Sequence, residues 1–382
     1  MLTENLMLLD RRRAVAALLA STLPLPGEAA VAESAGSYAA IALQLAARAV
    51  ERLPDRAAVS AQILRHVEEV GAKLRAAAIF VTQYTGSPVR LAVLPEYLFT
   101  SYPGRISIPD FAAKAAIDID GPEYEALGKV AAAQKLFLAG NAYERDRHFP
   151  GLYFQTSFVV APSGEVVLRY RRLNSMFAPT PHDVWSKYLD TYGIDGVFPV
   201  ARTEIGNLAA IASEEILYPE IARAHALRGA EVFVHSSSEI GSPLETPKAI
   251  ARRARAFENM AYIVSANTAG IEGAGLPLAS ADGNSQVLDY KGNVMAESNG
   301  GETFTAFADL DLAALRAQRR KPGMTNQLAR QRLELFAATY AGSVQPANAL
   351  IDPAGGLRIP ERDHFSRVHA ATIERLAKEG LI

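Results

Sequence analysis

Short apolar runs alternate with longer amphipathic stretches along most of the chain, and this alternation restricts its fold more than any other feature. Runs such as "LAVL", "LFLAG" and "LAAIA" are typical of buried strands, whereas "RAAVSAQILRHVEEVGAKLRAA" and "ETPKAIARRARAFENM" carry apolar residues at helical spacing. Two further segments, turning at Pro162-Ser163-Gly164 and at Lys291-Gly292, predict β-hairpins. The order of these elements predicts one α/β domain with helices outside the sheets.

The composition excludes several classes of function. The 382 residues carry a formal net charge of -2, so nothing in the charge balance points to nucleic acid as a partner. The chain has no cysteine, and therefore no disulfide, thiolate metal site or cysteine nucleophile. Its seven histidines lack the HxxH and HExxH spacings of common metal sites. No segment beyond the N-terminus reaches the roughly 18 apolar residues of a membrane helix, so we predict no membrane span.

The first 36 residues form an extension before the predicted main domain. Residues 1–32 combine three consecutive arginines, a short apolar run and a small-residue motif, Ala30-Val31-Ala32. This pattern is typical of a twin-arginine-like leader, which would be cleaved before Glu33 and would direct export to the periplasm. An amphipathic N-terminal helix on a cytoplasmic protein is the alternative. The main domain is predicted over residues 37–320, and the tail 321–382 is predicted to be helical and then loop-like.

Three of the apolar runs end at a polar or charged side chain. The stretch "LAVLPEYLF" places Glu96, "VVLRYRRLN" places Arg172, and "LAAIASEE" places Ser213. Because the carboxyl ends of strands gather around the binding crevice of open α/β sheets, we expect a base, a cation and a hydroxyl to converge. Each has a simpler interpretation. A strand-end glutamate is often a solvated charge, and Ser213, followed by two acidic residues, has the pattern of a helix N-cap.

The order and context of these residues resemble the nitrilase, or carbon–nitrogen hydrolase, superfamily. That family carries Pro-Glu after an early strand, Tyr-Arg-Lys after a hairpin, and a cysteine six residues before the Pro of an aromatic-Pro-Glu motif. The matching residues here are Glu96, Arg172 and Ser213. Similar stretches, "LRGAEVFVHSSSE", "RARAFENMAYIVSANTAG" and "GNSQVLDYKGNVMAES", follow in the same order. The resemblance therefore extends over residues 39–317.

The resemblance implies a four-layer αββα sandwich whose subunits pair into homodimers or larger homo-oligomers. It also implies covalent hydrolysis of an amide or nitrile, with glutamate as base, cysteine as nucleophile and lysine steadying the oxyanion. No metal or organic cofactor is implied. We expect the helix after Ser213 and the tail 321–382 to pack against the partner subunit.

The sequence departs from the family pattern at two of the three positions, with Ser213 in place of cysteine and Arg172 in place of lysine. A serine hydroxyl has no useful alkoxide fraction at neutral pH, so it needs a good general base. An ordinary carboxylate, with a pKa near ~4, is a weak base for that purpose unless burial raises its pKa. Arginine keeps the positive charge but does not transfer protons.

Three interpretations follow from these departures. The chain is an amidase-like hydrolase that forms an acyl-enzyme through Ser213, with Glu96 as base and Arg172 as oxyanion stabiliser. Alternatively it is a catalytically silent binding protein of the same fold, or an engineered Cys-to-Ser form of an amidase or nitrilase. An amide is favoured over a nitrile as the small-molecule substrate, because attack on a nitrile depends more on a thiolate.

Several other polar or aromatic side chains are candidates for the substrate pocket. Each has an alternative as a surface charge, a satisfied hydrogen-bonding group or a core residue. They are Glu144, Trp185, Asp190, Glu214, His235 and Ser236.

Overall fold

The computed structural model describes residues 36–240, 245–342 and 344–382. The predicted export leader lies outside these ranges. Within them, no helix is long and apolar enough to cross a membrane. In the same ranges, no three or more His, Cys, Asp or Glu side chains are grouped so that they could bind a metal ion.

The strands match the apolar runs of the sequence. In chain order they are β1 (Tyr38–Gln44), β2 (Ala47–Arg48), β3 (Val89–Val93), β4 (Ile117–Asp118), β5 (Phe137–Arg145), β6 (Phe154–Val160), β7 (Val166–Arg171), β8 (Ala201–Thr203), β9 (Gly206–Ala212), β10 (Val232–Ser236), β11 (Tyr262–Ala266), β12 (Ile271–Glu272), β13 (Gln286–Leu288), β14 (Val294–Glu297) and β15 (Thr303–Leu310). Both predicted hairpins, β6–β7 and β13–β14, pair as antiparallel strands.

The helices follow the amphipathic stretches. They are α1 (Arg56–Thr85), α2 (Ile108–Lys114), α3 (Pro122–Gln134), α4 (Trp185–Tyr192), α5 (Pro219–Leu227), α6 (Pro247–Asn259), α7 (Leu312–Arg320), α8 (Glu334–Tyr340) and α9 (His364–Lys378). Short 3-10 helices occur as well, and the one that bears on the site is Ser213–Leu217.

Two sheets form the centre of the fold. The first has the strand order β15-β1-β3-β5-β6-β7, with β4 paired to β5, and the second has the order β14-β13-β11-β10-β9-β8. The central strands are parallel in both sheets, as in the pairs β1–β3 and β9–β10. The short strands β2 and β12 form a separate pair. Parallel central strands direct their carboxyl ends to one edge of each sheet.

The apolar clusters show how the layers stack. Ala40 of β1 belongs to a buried cluster that also contains Ala210 and Val234 of the second sheet. The adjacent Ile41 belongs to a different cluster, which contains Ile63 of α1, because successive strand residues face opposite sides. A third cluster joins the second sheet to α5 and α6. The layers are therefore helix, sheet, sheet and helix, and the predicted αββα sandwich is confirmed.

The helix α1 shows how local sequence sets the elements. Asp55 is the N-cap, and its side chain accepts a hydrogen bond from the backbone N–H of Ala58. The helix continues to Thr85, beyond the 22-residue amphipathic stretch of the sequence, because no glycine or proline occurs between Ala77 and Gly86. Gly86 ends the helix with a φ of +78°, a conformation that glycine adopts without strain.

The tail contains a helix that the sequence interpretation missed. The loop-like prediction is wrong over α9, where Phe365 and Thr372 are buried. The preceding stretch "DPAGGLRIP" is rich in breakers, whereas Phe365, Val368 and Leu376 after it have helical spacing. Contacts place residues 36–382, where described, in one compact unit. The division at residue 320 stays a prediction.

Candidate active site

Ser213 lies at a sharp turn between strand β9 and a helix. The strand ends at Ala212, and Ser213 begins the 3-10 helix. The φ of Ser213 is +49°, in the left-handed region that a residue with a Cβ rarely adopts. The N-cap of this helix is Ala212 and that of the next helix is Tyr218, so the N-cap interpretation of Ser213 does not hold. Backbone strain of this kind concentrates at functional sites, where surrounding contacts keep it in place.

His235, on the neighbouring strand β10, holds this turn from beneath. Its Nε2 lies 2.9 Å from the carbonyl oxygen of Ser213, and its Nδ1 lies 2.8 Å from the hydroxyl of Ser265. Since a carbonyl only accepts, Nε2 carries the proton and Nδ1 accepts from Ser265. Burial lowers the pKa of His235 to about 3, so the ring is neutral at pH 7. Both nitrogens are engaged, and His235 therefore positions the turn.

Glu96 follows strand β3 and is buried, with 2% of its surface exposed. Its Oε1 accepts a hydrogen bond from Nε2 of Gln155 at 2.6 Å, and its Oε2 accepts one from the hydroxyl of Ser238 at 2.5 Å. Arg172 Nη1 lies 3.4 Å from the same Oε1. Both carboxylate oxygens thus have partners. Among the hydrogen bonds of the described residues, none joins Glu96 to Ser213.

Arg172 follows strand β7 and lies between two carboxylates. Its Nη1 donates to Oε1 of Gln155 at 2.7 Å and approaches Glu96, while Nη2 donates to Glu214. Its Nε donates to the backbone oxygen of Asn174 at 2.6 Å. Burial disfavours the charged guanidinium, but the neighbouring carboxylates, with Glu96 the strongest, outweigh it and raise the pKa of Arg172. The guanidinium is therefore a fixed cation.

Lys248, which the sequence interpretation did not single out, contacts Ser213 directly. It is in the first turn of α6, and its Nζ lies 3.1 Å from the Ser213 hydroxyl and 3.5 Å from the hydroxyl of Ser237. Burial lowers the pKa of this lysine below its ordinary value. Its place in the sequence, 35 residues after Ser213, carries no signal of this contact.

Glu215 is a second residue that the sequence interpretation passed over. It is fully buried, and its Oε1 accepts hydrogen bonds from the backbone N–H groups of Leu173 and Asn174, at 2.7 and 2.9 Å. The hydroxyl of Tyr170 donates to its Oε2 at 2.7 Å. The residues that follow Arg172 are thus tied to the residues that follow Ser213. In the sequence, the acidic pair after Ser213 was the only feature that could have drawn attention to Glu215.

Two predicted pocket residues, Glu144 and Asp190, lie apart from Glu96, Arg172 and Ser213. Glu144 on β5 accepts a hydrogen bond from the Tyr124 hydroxyl and lies 3.4 Å from Arg169. Asp190 on α4 is exposed to solvent. Among the described residues, no hydrogen bond or ion pair links either carboxylate to the three strand-end side chains.

The remaining predicted pocket residues have different environments. The Ser236 hydroxyl donates to the backbone oxygen of Leu94 at 2.7 Å, and so bridges the two sheets. Trp185 packs on the apolar cluster between the first sheet and its helices. Glu214, by contrast, lies among the active-site residues, because it forms an ion pair with Arg172.

The cluster combines a strained hydroxyl, an amine in contact with it, a fixed guanidinium and a buried carboxylate. A hydroxyl and an adjacent amine provide a nucleophile and a proton acceptor. A guanidinium can stabilise an oxyanion but cannot exchange protons at neutral pH. These are the groups needed for acyl transfer.

The family model "Carbon-nitrogen hydrolase" matches residues 40–320 of this chain. The match covers more than half of the chain and includes every residue of the cluster described above.

Similarity to individual proteins is lower but extends over long segments. A formamidase of Helicobacter acinonychis is 25% identical over 212 residues, which cover 55% of this chain and 58% of that protein. An omega-amidase of Xenopus tropicalis is 24% identical over 226 residues, covering 59% of this chain and 78% of that protein. The chain thus spans less than two thirds of the formamidase it matches.

Solved structures share the fold. A carbon–nitrogen hydrolase from Helicobacter pylori G27 superposes with a TM-score of 0.58 at 22% identity, and the superposition covers 80% of this chain and 98% of that chain. At this level of identity the likeness concerns the αββα architecture alone.

Proposed function

Because the chain belongs to the carbon–nitrogen hydrolase family, we propose that it hydrolyses the C–N bond of a small non-peptide amide. The observation that carries the proposal is the cluster itself. Glu96, Arg172 and Ser213 follow three different strands. Arg172 contacts Glu96 and pairs with Glu214, the residue next to Ser213 in the chain, and Lys248 contacts the Ser213 hydroxyl. The related formamidase and omega-amidase favour an amide over a nitrile.

In the proposed reaction the hydroxyl of Ser213 attacks the amide carbon and its proton passes to a base. The C–N bond breaks, ammonia or an amine leaves with a proton, and an ester to Ser213 remains. Water then attacks the ester and releases the acid. Arg172 supplies the positive charge for the oxyanion, and Glu96 is the carboxylate base assigned from the sequence. The role of Glu96 receives the least support, because it makes no hydrogen bond to Ser213.

One observation favours a second candidate, a silent binding protein of the same fold. Each nitrogen of the Arg172 guanidinium already has a partner within the chain, namely Asn174, Gln155 and Glu214. A guanidinium held in this way has to release a partner before it can bind an oxyanion. The same arrangement could hold the carboxyl or amide group of a ligand without chemistry.

The proposal is tested by ammonia release from a panel of small amides, from formamide to short dicarboxylic monoamides, combined with intact-mass measurement. We expect turnover, and a transient mass increase equal to the acyl group. The Ser213→Ala variant should show neither, because it lacks the acyl acceptor. If the folded wild-type protein releases no ammonia and gains no mass with any amide, the hydrolase proposal fails and the binding protein stands.

A further inference from the structure

The contact between Lys248 and Ser213 has the geometry of a nucleophile and its base. The Nζ–Oγ distance of 3.1 Å is within hydrogen-bonding range, and Ser213 is buried, with 4% of its surface exposed. Among the described residues, no carboxylate lies within 4 Å of the lysine Nζ, although twenty such ion pairs occur elsewhere in those residues. The hydroxyl of Ser213 is thus a principal polar contact of this amine.

The position of Lys248 on α6 also disfavours its charged form. It is in the first turn, next to the N-cap Thr246, where the positive end of the helix dipole repels an ammonium group. Burial lowers its pKa further, and so does Arg172. The carboxylates that face it, Glu96, Glu239 and Glu214, act in the opposite direction and do not restore the ordinary pKa.

We propose that Ser213 and Lys248 form a catalytic dyad, in which the lysine amine is the base that removes the proton of the serine hydroxyl. This inference rests on the proposed amide hydrolysis and changes one role in it. Lys248 replaces Glu96 as the acceptor of the first proton. Serine–lysine pairs perform this chemistry on unrelated folds.

The steps balance with the groups present. As Oγ bonds to the amide carbon, the neutral amine takes the hydroxyl proton and the carbonyl electron pair moves to oxygen. The ammonium then gives this proton to the departing nitrogen as the C–N bond breaks. In the second half, Lys248 takes a proton from water and returns it to Oγ when the ester bond breaks. Glu96 favours the transient ammonium through its charge.

The arrangement also accounts for the two departures from the family pattern. A thiol needs little help to ionise, whereas a serine hydroxyl needs a base stronger than an ordinary carboxylate. Arg172, which stands in place of the family's lysine, does not transfer protons. Proton transfer by an amine at the nucleophile therefore needs a lysine from elsewhere in the chain. Lys248 is in contact with the atom that needs it.

The test measures the nucleophilicity of Ser213 separately from amide turnover. A fluorophosphonate bonds to an activated serine oxygen and loses fluoride, so intact mass and peptide mapping report its rate without any amide. We expect wild-type protein to be labelled at Ser213. Lys248→Met should slow labelling by ~100-fold or more, within the range expected for loss of a general base. Lys129→Met, a surface lysine paired with Glu125, serves as the matched control and should label like wild type.

A second variant separates a base from a structural cation. Lys248→Arg keeps the charge but cannot accept a proton at assay pH, so it should label as slowly as Lys248→Met. The labelling rate of wild type should rise with pH along the deprotonation of Lys248, and this rise should be absent in both variants. Labelling that is equally fast in the Lys248 variants, with circular dichroism unchanged, would overturn the dyad.

The two proposals fail in different ways. Labelling that depends on Lys248 without ammonia release from any amide supports the dyad and removes the proposed amide substrate. Ammonia release that persists in Lys248→Met, with labelling also unchanged, removes the dyad and leaves the amidase. If wild type is not labelled under conditions in which a reference serine hydrolase is, the hydroxyl is not activated and the dyad is wrong.

Discussion

The buried carboxyl of Glu215 allows a quantitative test of how the active-site loop is held. Its side chain accepts hydrogen bonds from the backbone N–H groups of Leu173 and Asn174 and from the hydroxyl of Tyr170. Full burial raises its pKa to about 7 from its ordinary value of 4.5, and the opposing charge of Arg172 and the hydrogen bonds only partly counter this. Replacing it by glutamine keeps the size and an acceptor oxygen but removes the titration.

The sign and size of the effect follow from this pKa. Between pH 4.5 and 7 the folded protein binds more protons at Glu215 than the unfolded chain does. The stabilising contribution is therefore complete below pH 4.5 and is lost as the pH rises through about 7. At ~1.36 kcal/mol per pH unit, the loss amounts to ~3 kcal/mol. The Glu215→Gln variant lacks this titration and does not lose this stability. Its free energy of unfolding relative to that of wild type should therefore rise by ~3 kcal/mol between pH 4.5 and 8.

The assay is urea unfolding of both proteins at pH 5 and pH 8, at one protein concentration because assembly affects apparent stability. Glu231→Gln is the control whose titration lies outside this pH range. Burial would raise the pKa of Glu231, but the ion pair with Arg316 at 2.7 Å holds it below its ordinary value of 4.5. The stabilising contribution of Glu231 is therefore lost only below about pH 4.5, and the difference between this control and wild type should stay nearly constant from pH 5 to pH 8. If the difference between Glu215→Gln and wild type is constant with pH, or falls, the burial argument for Glu215 is wrong.

Three further predictions concern activity, acid stability and assembly. Ser213→Cys combined with Arg172→Lys should raise the rate of ammonia release from small amides by orders of magnitude, because a thiolate depends less on its base; a folded double variant with neither ammonia nor a mass adduct would contradict it. Burial lowers the pKa of His225 and His235 to about 3, so below pH ~6.5 each should reduce the free energy of unfolding by ~1.4 kcal/mol per pH unit. His225→Phe should remove one such contribution in urea titrations at pH 6 and 5, and an unchanged slope would argue against it. Helix α8 exposes apolar side chains such as Phe336, and we expect them to be buried in a homodimer. Light scattering should show a dimer that Phe336→Glu weakens. A stable wild-type monomer at micromolar concentration would refute this.

The elements of the fold could be predicted because they are encoded locally. Short apolar runs specify strands, amphipathic runs specify helices, and their alternation indicates an α/β domain. The four-layer αββα arrangement was predicted from the family resemblance. The helix α9 was missed although its apolar residues have helical spacing, and its buried residues Phe365 and Thr372 are seen only in the structure. The roles assigned to Glu96, Arg172 and Ser213 stay predictions until turnover is measured.

The rest of the site could not be predicted, because its members come from distant parts of the chain. Gln155 reaches Glu96 from another strand of the first sheet, and Ser238 reaches it only after the two sheets have packed. The sequence indicated His235 as a pocket candidate, but its ring points to the backbone of the turn. Whether a strand-end side chain faces a pocket or a neighbouring backbone depends on register, which is set by the whole sheet.

The sequence by itself determined the alternation of strands and helices and the three strand ends at which reactive groups occur, since both depend on residues close together in the chain. The four layers were implied by the family resemblance. Only the tertiary structure decided which groups touch. The start of α6 lies against the turn after β9 because the two elements pack on the same sheet, and this brings the amine of Lys248 to the hydroxyl of Ser213. Asp190 remains in solvent because α4 turns that side chain outward. Proton transfer requires contact within about 3 Å, and a contact between residues far apart in the chain is a property of packing.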